Sequence, residues 1–570
     1  MKDSFFIGPH GENADFLGDI WQELLQRTLQ HRRETFADDR DLPVSPPGEV
    51  QRQQVKAGIE EFFAVLHKEV PTFSNRYLGH MVSDVSIPAL VGNISVLFCN
   101  PNLASHETAR AGVVFETRAI NILAEMIGFD GEAARGHFTS GGTMANFEAF
   151  WRARYRMDHW LSMAAWLLEN GKSDEDIFHL AHQGWEDFYA HKVDHDISNH
   201  DLRERSYVIR GPWDIARYYR DTLQRDFPQP VILVPGNKHY SWPKSANVFG
   251  ISEQAIWSID LDARGRISVD SLRDVIERAK REQRPIMMTV SVAGTTELGT
   301  VDPVDKVNDL LRYYHEEEGI HIWHHVDGAY GGYFCSTFRD GDSELNPESV
   351  RAFSSLSRAD SVTLDPHKLG FVPYACGAFL VRDPRSYSVS HVNAPYLDEE
   401  PNVDYPTWST TLEGSRSATG AGAVWLSSRV LPLNAQGHGE ILNQALSSKR
   451  LFEKRLQAQV TNIRLVPASD TNIICFTVAR EGQGLRLANE HVEHLVDSFQ
   501  HSPNFAVTRT SLSLKHYRAL IEGMVSQWHG ETDDDHMLVV RMVIMSPYLA
   551  DDDTNQRLMM EFIGELQTLG

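Results

Sequence analysis

Beyond Phe227 the chain alternates short, nearly unbroken apolar runs with amphipathic segments of helical period. The runs PVILVPG (230–236), QAIWSIDLD (254–262), PIMMTVSVAGTT (285–296), IHIWHHVDGAY (320–330), DSVTLDPHK (360–368) and GAFLVRD (377–383) read as strands. VDSLRDVIERAKREQ (269–283) and VDKVNDLLRYYHEEEG (304–319) read as helices between them. Runs this continuous mark strands buried on both faces, and strands alternating with helices predict an α/β fold with a mostly parallel central sheet and helices on both faces. Upstream, residues 106–230 carry amphipathic helix patterns rich in Trp, Tyr and His. Residues 1–105 read as helical segments and turns, such as DIWQELLQRTLQHRRETF and VQRQQVKAGIEEFFAVLHKEV, with no evident core of their own. After about residue 425 come the helix ILNQALSSKRLFEKRLQ, the strand TNIICFTVAR, a polar stretch, the strand HMLVVRMVIM and a terminal helix. The predicted organisation is a helical N-terminal arm (1–105), a large α/β domain (106–424) and a small α+β C-terminal domain (425–570).

Composition narrows the function. With Lys+Arg 54 against Asp+Glu 78, the 570-residue chain carries a net charge of −24, which argues against nucleic acid or an anionic membrane as partner. Four cysteines (Cys99, Cys335, Cys376, Cys475) stand far apart with no C-x-x-C pair, so neither a zinc ribbon nor a dithiol motif is expected, and no metal site is read. The N-terminus lacks a basic start followed by a sustained apolar core, and IPALVGNISVLF (87–98) is too short and broken to span a bilayer. A cytoplasmic protein is expected.

In sheets of this kind ligands sit at the carboxyl ends of strands, and four polar clusters fall just past such ends: NKHYSW, GTTELG, DGAYGG and DPHK. Lys368, in the last, is a candidate for capture of an aldehyde. Burial and neighbouring groups are expected to lower its pKa so that a neutral amine can attack. Asp327 ends a strand and precedes the small residues Gly328 and Ala329, against which a flat ring can lie; its carboxylate suits a protonated pyridine nitrogen, the electron sink of pyridoxal phosphate. Ser140, Gly141, Gly142 and Thr143 lead into a helix, and glycines at a helix N-terminus favour a phosphate. His239 is placed to stack on a ring and shuttle protons, and His367 to order the phosphate or its turn. Each element alone also reads as an ordinary cap, turn or surface residue. Their combination is the parts list of one cofactor.

The motifs TSGGTMAN, KHYSW, AGTTELGTVD, HVDGAYGG and DPHKLGFVPYACG resemble those of the group II pyridoxal-phosphate amino-acid decarboxylases, of the aspartate-aminotransferase-like fold type I. RYLGHM and LEGSRSATGAGAVWLSSRVLPLNAQGHG, with the helical insert around residues 155–225, are similar to the bacterial tyrosine decarboxylases within that group. The resemblance implies that Lys368 joins the cofactor, Asp327 pairs with its ring nitrogen, and Ala329 and His239 flank the ring. It implies that Gly142, Thr143 and His367 hold the phosphate and that Thr296 contacts the ring's 3-oxygen region. It implies that Tyr396, in SHVNAPYLDEEPNVDYP, protonates the product carbanion, that Arg541 holds the substrate α-carboxylate, and that His80 and Tyr374 line the substrate pocket. The implied activity is decarboxylation of tyrosine or another aromatic amino acid, by a homodimer. Aspartate or glutamate is the alternative substrate, and carbon–carbon lysis or oxidative deamination the alternative reaction. An acidic substrate would need a spare cation such as Arg416 or Arg76; an aromatic one would need an apolar wall such as Phe98, Phe371 or Trp408. A nucleotide-binding or purely structural α/β protein would instead carry no chromophore.

Overall fold

The computed structural model describes residues 2–35, 44–390, 410–467, 469–502, 504–549 and 552–569. Seven strands form the central sheet: β1 (Arg135–Thr139), β2 (Val231–Pro235), β3 (Ile256–Ile259), β4 (Ile286–Val292), β5 (His324–Asp327), β6 (Ser361–Leu364) and β7 (Gly377–Val381). They lie in the order β1-β7-β6-β5-β4-β2-β3. The pairs β2–β3, β2–β4, β4–β5 and β5–β6 are parallel, and only β7 runs against its two neighbours. Every residue of β2 and β4 is buried, as their continuous apolar runs required. Each such Val or Ile removed from water contributes roughly 1.5–3 kcal/mol to the core.

The covering helices follow their apolar period. Val269–Arg281 starts at Ser268, whose side chain accepts from the Ser271 N–H, and buries Leu272, Ile276 and Ala279. Val304–Glu318 buries Val307, Leu310, Leu311 and Tyr314, and stops at Gly319, whose φ of 68° only glycine adopts at little cost. The longest, Gly142–Glu169, crosses the sheet and buries residues all around its circumference. Three strands escaped the sequence reading: β1, whose RGHFT lacks a β-branched run, β8 (Ile463–Leu465) and β10 (Thr508–Ser513).

Downstream, β8, β9 (Ile473–Val478), β10 (Thr508–Ser513) and β11 (His536–Val543) form a four-stranded antiparallel sheet in the order β10-β11-β9-β8. The stretch read only as polar before β11 holds the helices Leu485–Gln500 and Leu514–Ser526 as well as β10, whose outward face is Arg509, Ser511 and Ser513. The expected boundary between residues 424 and 425 falls inside the helix Thr419–Val430, which packs on the helices Ile87–Leu97 and Arg110–Met126. By contrast, the helix Ala14–Thr35 buries only Leu24, and Glu49–Leu66 buries nothing. No helix among the described residues is long and apolar enough to cross a membrane.

Candidate active site

Four parallel strands deliver the site. Lys368 follows β6 by four residues, Thr296 follows β4 by four, His239 follows β2 by four, and Asp327 ends β5. These residues line one cavity of about 380 Å³ together with Gly142, Thr143, Ala329 and His367. β1 reaches the same place in the same direction, because it pairs antiparallel with β7, itself reversed against β6, and it feeds the turn Ser140–Gly141 into the long helix. The helix therefore opens on the cavity with the N–H groups of its first turn, which an α-helix cannot pair internally.

The electrostatics correct one expectation. Burial pushes the Lys368 amine down, but the Asp365 carboxylate, its hydrogen bond and the charge of Asp327 together push it above its ordinary value. Its Nζ lies 3.0 Å from Asp365 Oδ2, so the chain alone holds Lys368 as an ammonium ion rather than a free amine. Burial raises Asp365 in turn, and Lys368 and His367 outweigh that to hold it below the ordinary carboxylate range. Asp365, two residues before the histidine, was not picked out from the sequence; its spacing of three from the lysine is the signal that pointed to it. Burial lowers His239, against the opposing field of Asp327, so its imidazole is neutral. His367 stacks on Tyr374 at 3.9 Å between ring centres, and its Nδ1 accepts from the Cys376 N–H at 3.2 Å.

Asp327 is held from behind. Its Oδ2 accepts from Asn146 Nδ2 at 2.8 Å, and its Oδ1 from the Ala329 N–H at 3.3 Å. Asn146, one turn into the long helix, is a second functional residue that sequence reasoning missed, since a buried amide within an amphipathic pattern gives no periodic signal.

His80, Tyr374 and Arg541 lie beside the cavity rather than on its wall. The charge of Lys368 reaches Tyr374, which also feels Tyr77; Arg541 acts on Tyr77, His80 and Glu297. Glu297 does line the cavity, and burial raises its carboxyl, with Arg541 opposing. Arg541 is buried, and its Nε has no hydrogen-bond partner among the described residues. Tyr396 and Trp408 lie outside the described residues. Phe98 and Phe371 do not line the cavity; Phe371 is packed edge-on against Phe6 at 5.3 Å.

Neither arginine put forward as a spare cation is free. Arg416 is buried against Glu116, with contacts of 2.5 and 3.1 Å, and donates to the Phe138 carbonyl at 3.0 Å. Arg76 contacts Glu561 at 2.5 Å and lies 5.0 Å over the Phe505 ring.

The cavity suits a planar, phosphate-bearing aldehyde on its own terms. A Cβ at Gly142 would lie 2.8 Å from Asp365 Oδ2 and 3.0 Å from Ala329 Cβ, so bare backbone is what keeps that end open. Asp365 Oδ1 is buried without a hydrogen-bond partner among the described residues. The donor set supplies helix N–H groups for a phosphate, a carboxylate for a ring nitrogen and an amine for an aldehyde, within a volume usual for a small-molecule site.

The comparisons agree with this chemistry. Residues 221–479 match the family described as the pyridoxal-dependent decarboxylase conserved domain. The L-tyrosine decarboxylase of Levilactobacillus brevis is 26% identical over 96% of this chain and 92% of its own length. That of Enterococcus faecium is 27% identical over 97% and 96%. The crystal structure of mouse CSAD superposes with a TM-score of 0.66 at 19% identity, covering 96% of this chain and 98% of that one, which shows the shared fold. With a fold type I sheet, a cavity suited to pyridoxal phosphate and near full-length decarboxylase relatives, the chain is similar to the group II pyridoxal-phosphate-dependent decarboxylases, whose conserved domain is matched over residues 221–479.

Proposed function

We propose that this enzyme decarboxylates tyrosine or a closely related aromatic L-amino acid to the amine and carbon dioxide. The observation that carries the reading is that Lys368, Asp327, His239 and the glycine-led helix N-terminus meet on one cavity. For the substrate class, support comes from the tyrosine-decarboxylating relatives and from the engagement of Arg416 with Glu116 and of Arg76 with Glu561, the two cations put forward for a second carboxylate.

In this reading Lys368 joins the cofactor's aldehyde, Asp327 faces its ring nitrogen, and Ala329 and His239 flank the ring. Gly142, Thr143 and His367 hold the phosphate, and Thr296 lies toward the 3-oxygen. The bound cofactor supplies an electron sink for the bond that breaks as carbon dioxide leaves. Arg541 fixes the α-carboxylate, which selects the bond to be broken by orientation. His80 and Tyr374 border the substrate, and Tyr396 returns a proton to Cα. A homodimer fits the outer helices. Glu49–Leu66 exposes Ile59, Phe62 and Phe63, which a second chain would cover.

The test is carbon dioxide and ammonia release across Tyr, Phe, Dopa, Trp, Asp, Glu and Met. Carbon dioxide with amine from the aromatic set is expected. Turnover of Asp or Glu alone overturns the substrate class, and ammonia without carbon dioxide overturns the reaction.

A further inference from the structure

We infer that Asn146 is a positioning residue, set by a one-way hydrogen-bond chain that begins at the Trp323 indole and ends on Asp327 and His239. The inference builds on the proposed function, because it assigns how the ring-nitrogen carboxylate and the stacking imidazole are oriented.

The direction of the chain follows from donor chemistry. An indole N–H can only donate, and Trp323 Nε1 lies 2.8 Å from Ser361 Oγ. The Ser361 hydroxyl, which accepts from the indole and keeps its own proton to give, lies 2.8 Å from His325 Nδ1, the only imidazole nitrogen it reaches among the described residues. His325 is buried, which pushes its pKa down to about 3, so it carries a single ring proton. That proton sits on Nε2, 3.3 Å from Asn146 Oδ1. Thr363 Oγ1 donates to the same oxygen at 2.9 Å, and, its proton so used, it faces His325 Nε2 at 3.3 Å as an acceptor. The amide oxygen thus faces Thr363 and His325, and the NH₂ group faces the site. It donates to Asp327 Oδ2 at 2.8 Å and to Ser241 Oγ at 3.0 Å.

Ser241 passes the polarity on. Its hydroxyl points at His239 Nδ1, 2.9 Å away, and its backbone N–H donates to the same nitrogen at 3.3 Å. His239 therefore accepts at Nδ1 and, being neutral, keeps its proton on Nε2. The reverse polarity fails at two places. The other tautomer of His325 would set a ring lone pair against the Asn146 carbonyl, and a flipped amide would set that carbonyl against the Asp327 carboxylate. Trp323, His325, Ser361, Thr363, Asn146 and Ser241 are all buried to within 1% of full, so water cannot substitute for any link. Asn146 holds Asp327 as an acceptor and His239 as the Nε2–H tautomer from one amide.

Two full-length variants test this. Asn146→Asp puts a second carboxyl where the amide donated, and Thr363→Val removes one donor to the amide oxygen with little change of shape. Hydrogen-bond partners that orient metal ligands typically account for 10- to 100-fold effects, and a comparable factor is expected for one that orients a ring carboxylate. For Asn146→Asp, titration of the apoenzyme with pyridoxal phosphate should show affinity weakened by about that factor. The bound chromophore's absorbance should titrate at a different pH, and kcat should fall while KM changes less than about threefold. Thr363→Val should move each quantity the same way by a smaller factor. In ¹⁵N-histidine NMR of the apoprotein, with His239 assigned from His239→Gln, its Nδ1 should be unprotonated and should shift in both variants.

Wild-type affinity and absorbance in both variants, or a loss of thermal stability alone, overturns the inference. If Asn146→Asp does not fold, unchanged affinity and absorbance in Thr363→Val overturn it. A wild-type protein that takes up no pyridoxal phosphate defeats the functional reading instead. The His239 tautomer in the apoprotein still judges the chain, and a proton on Nδ1 overturns it.

Discussion

Acid should unfold this protein by charging histidines that the core has no room to solvate. Burial lowers His182 and His325 to about 3, and His321, His324 and His438 to about 4. Hydrogen bonding shows why protonation is resisted. His182 Nε2 accepts from the Ile286 N–H at the head of β4, at 3.0 Å, and His321 Nδ1 lies 3.0 Å from the Arg156 guanidinium, so a proton on either nitrogen would face another donor. In the unfolded chain these residues titrate near 6.5, so between that pH and their folded values the unfolded state binds more protons and stability falls as pH falls. At pH 5 each contributes roughly 2 kcal/mol of destabilisation, and the five together roughly 10 kcal/mol. That matches the whole stability of a typical domain, about 5–15 kcal/mol. Urea midpoints of the apoprotein, followed by circular dichroism between pH 8 and pH 4.5, should therefore drop steeply below pH 6, with unfolding setting in near pH 5. His438→Gln should make the drop shallower by about one proton. A midpoint that stays flat from pH 7 to pH 5 would refute the reasoning.

Other outcomes follow from the site and its supports. Lys368→Ala should abolish borohydride-stable attachment of a pyridoxyl group, read by peptide mass, while leaving the fold intact by circular dichroism. Asp365→Asn removes the main charge that holds Lys368 as an ammonium, so trapping of the aldehyde on the apoprotein at pH 7 should quicken; slower trapping would show that Asp365 acts in another way. Arg416→Ala leaves Glu116 buried without its partner and should cost about 3–5 kcal/mol in urea titrations. It should not alter the ratio of tyrosine to glutamate turnover, which would change if Arg416 served the substrate. Arg152→Met should lower kcat by about tenfold or more with less than a threefold change in cofactor affinity. The reason is that Arg152 binds both Ser390 Oγ, at 2.9 Å, and the Thr410 carbonyl, at 2.7 Å, the residues on either side of 391–409.

The parts legible in the sequence were those whose physics is periodic or compositional. β2 and β4 announce themselves because a strand buried on both faces can be apolar throughout, and the helices between them repeat at three and four residues. β1 failed that test: its five residues include Arg, Gly and His, yet it is held between the sheet and the long helix by pairing with β7. β10 failed in the opposite sense, as an edge strand whose outward positions are Arg and Ser. Lys368, Asp327 and His239 could be found because each follows a recognisable strand. Their supports were missed, although the short spacing of Asp365 was there to be read. Asp365 and Asn146 act through contacts three residues and 181 residues distant in sequence, with Lys368 and Asp327, and the second distance has no pattern along the chain. The charge on Lys368 was misjudged for the same reason: burial alone lowers an amine, and the carboxylate that reverses the sign becomes visible only once the turn is folded.

The long helix Gly142–Glu169 shows why so much of the site is polar yet buried. At about 1.5 Å per residue it is roughly 42 Å long, enough to cross the whole sheet, and it packs on β1, β4, β5, β6 and β7. Its first turn faces the cavity, Asn146 faces Asp327, Glu148 accepts the Leu412 N–H at 2.6 Å, and Arg152 reaches Ser390 and Thr410. Arg156, farther on, meets His321 at 3.0 Å and lies 4.5 Å over Trp160. An apolar residue at each of these positions would pack more cheaply, since burying a polar group without partners costs about 1–3 kcal/mol and a charge costs more. Each instead reaches a group from a different strand or loop, so the helix cannot shift along or turn about its axis without breaking several buried bonds at once. The phosphate end, the ring carboxylate and the flanks of 391–409 are thereby held in fixed relation by one rigid rod. Substitutions on the helix and at its strand partners should therefore couple: Arg152→Met combined with Thr363→Val should cost more catalytic rate than the two single losses multiplied, whereas independent supports would give a simple product.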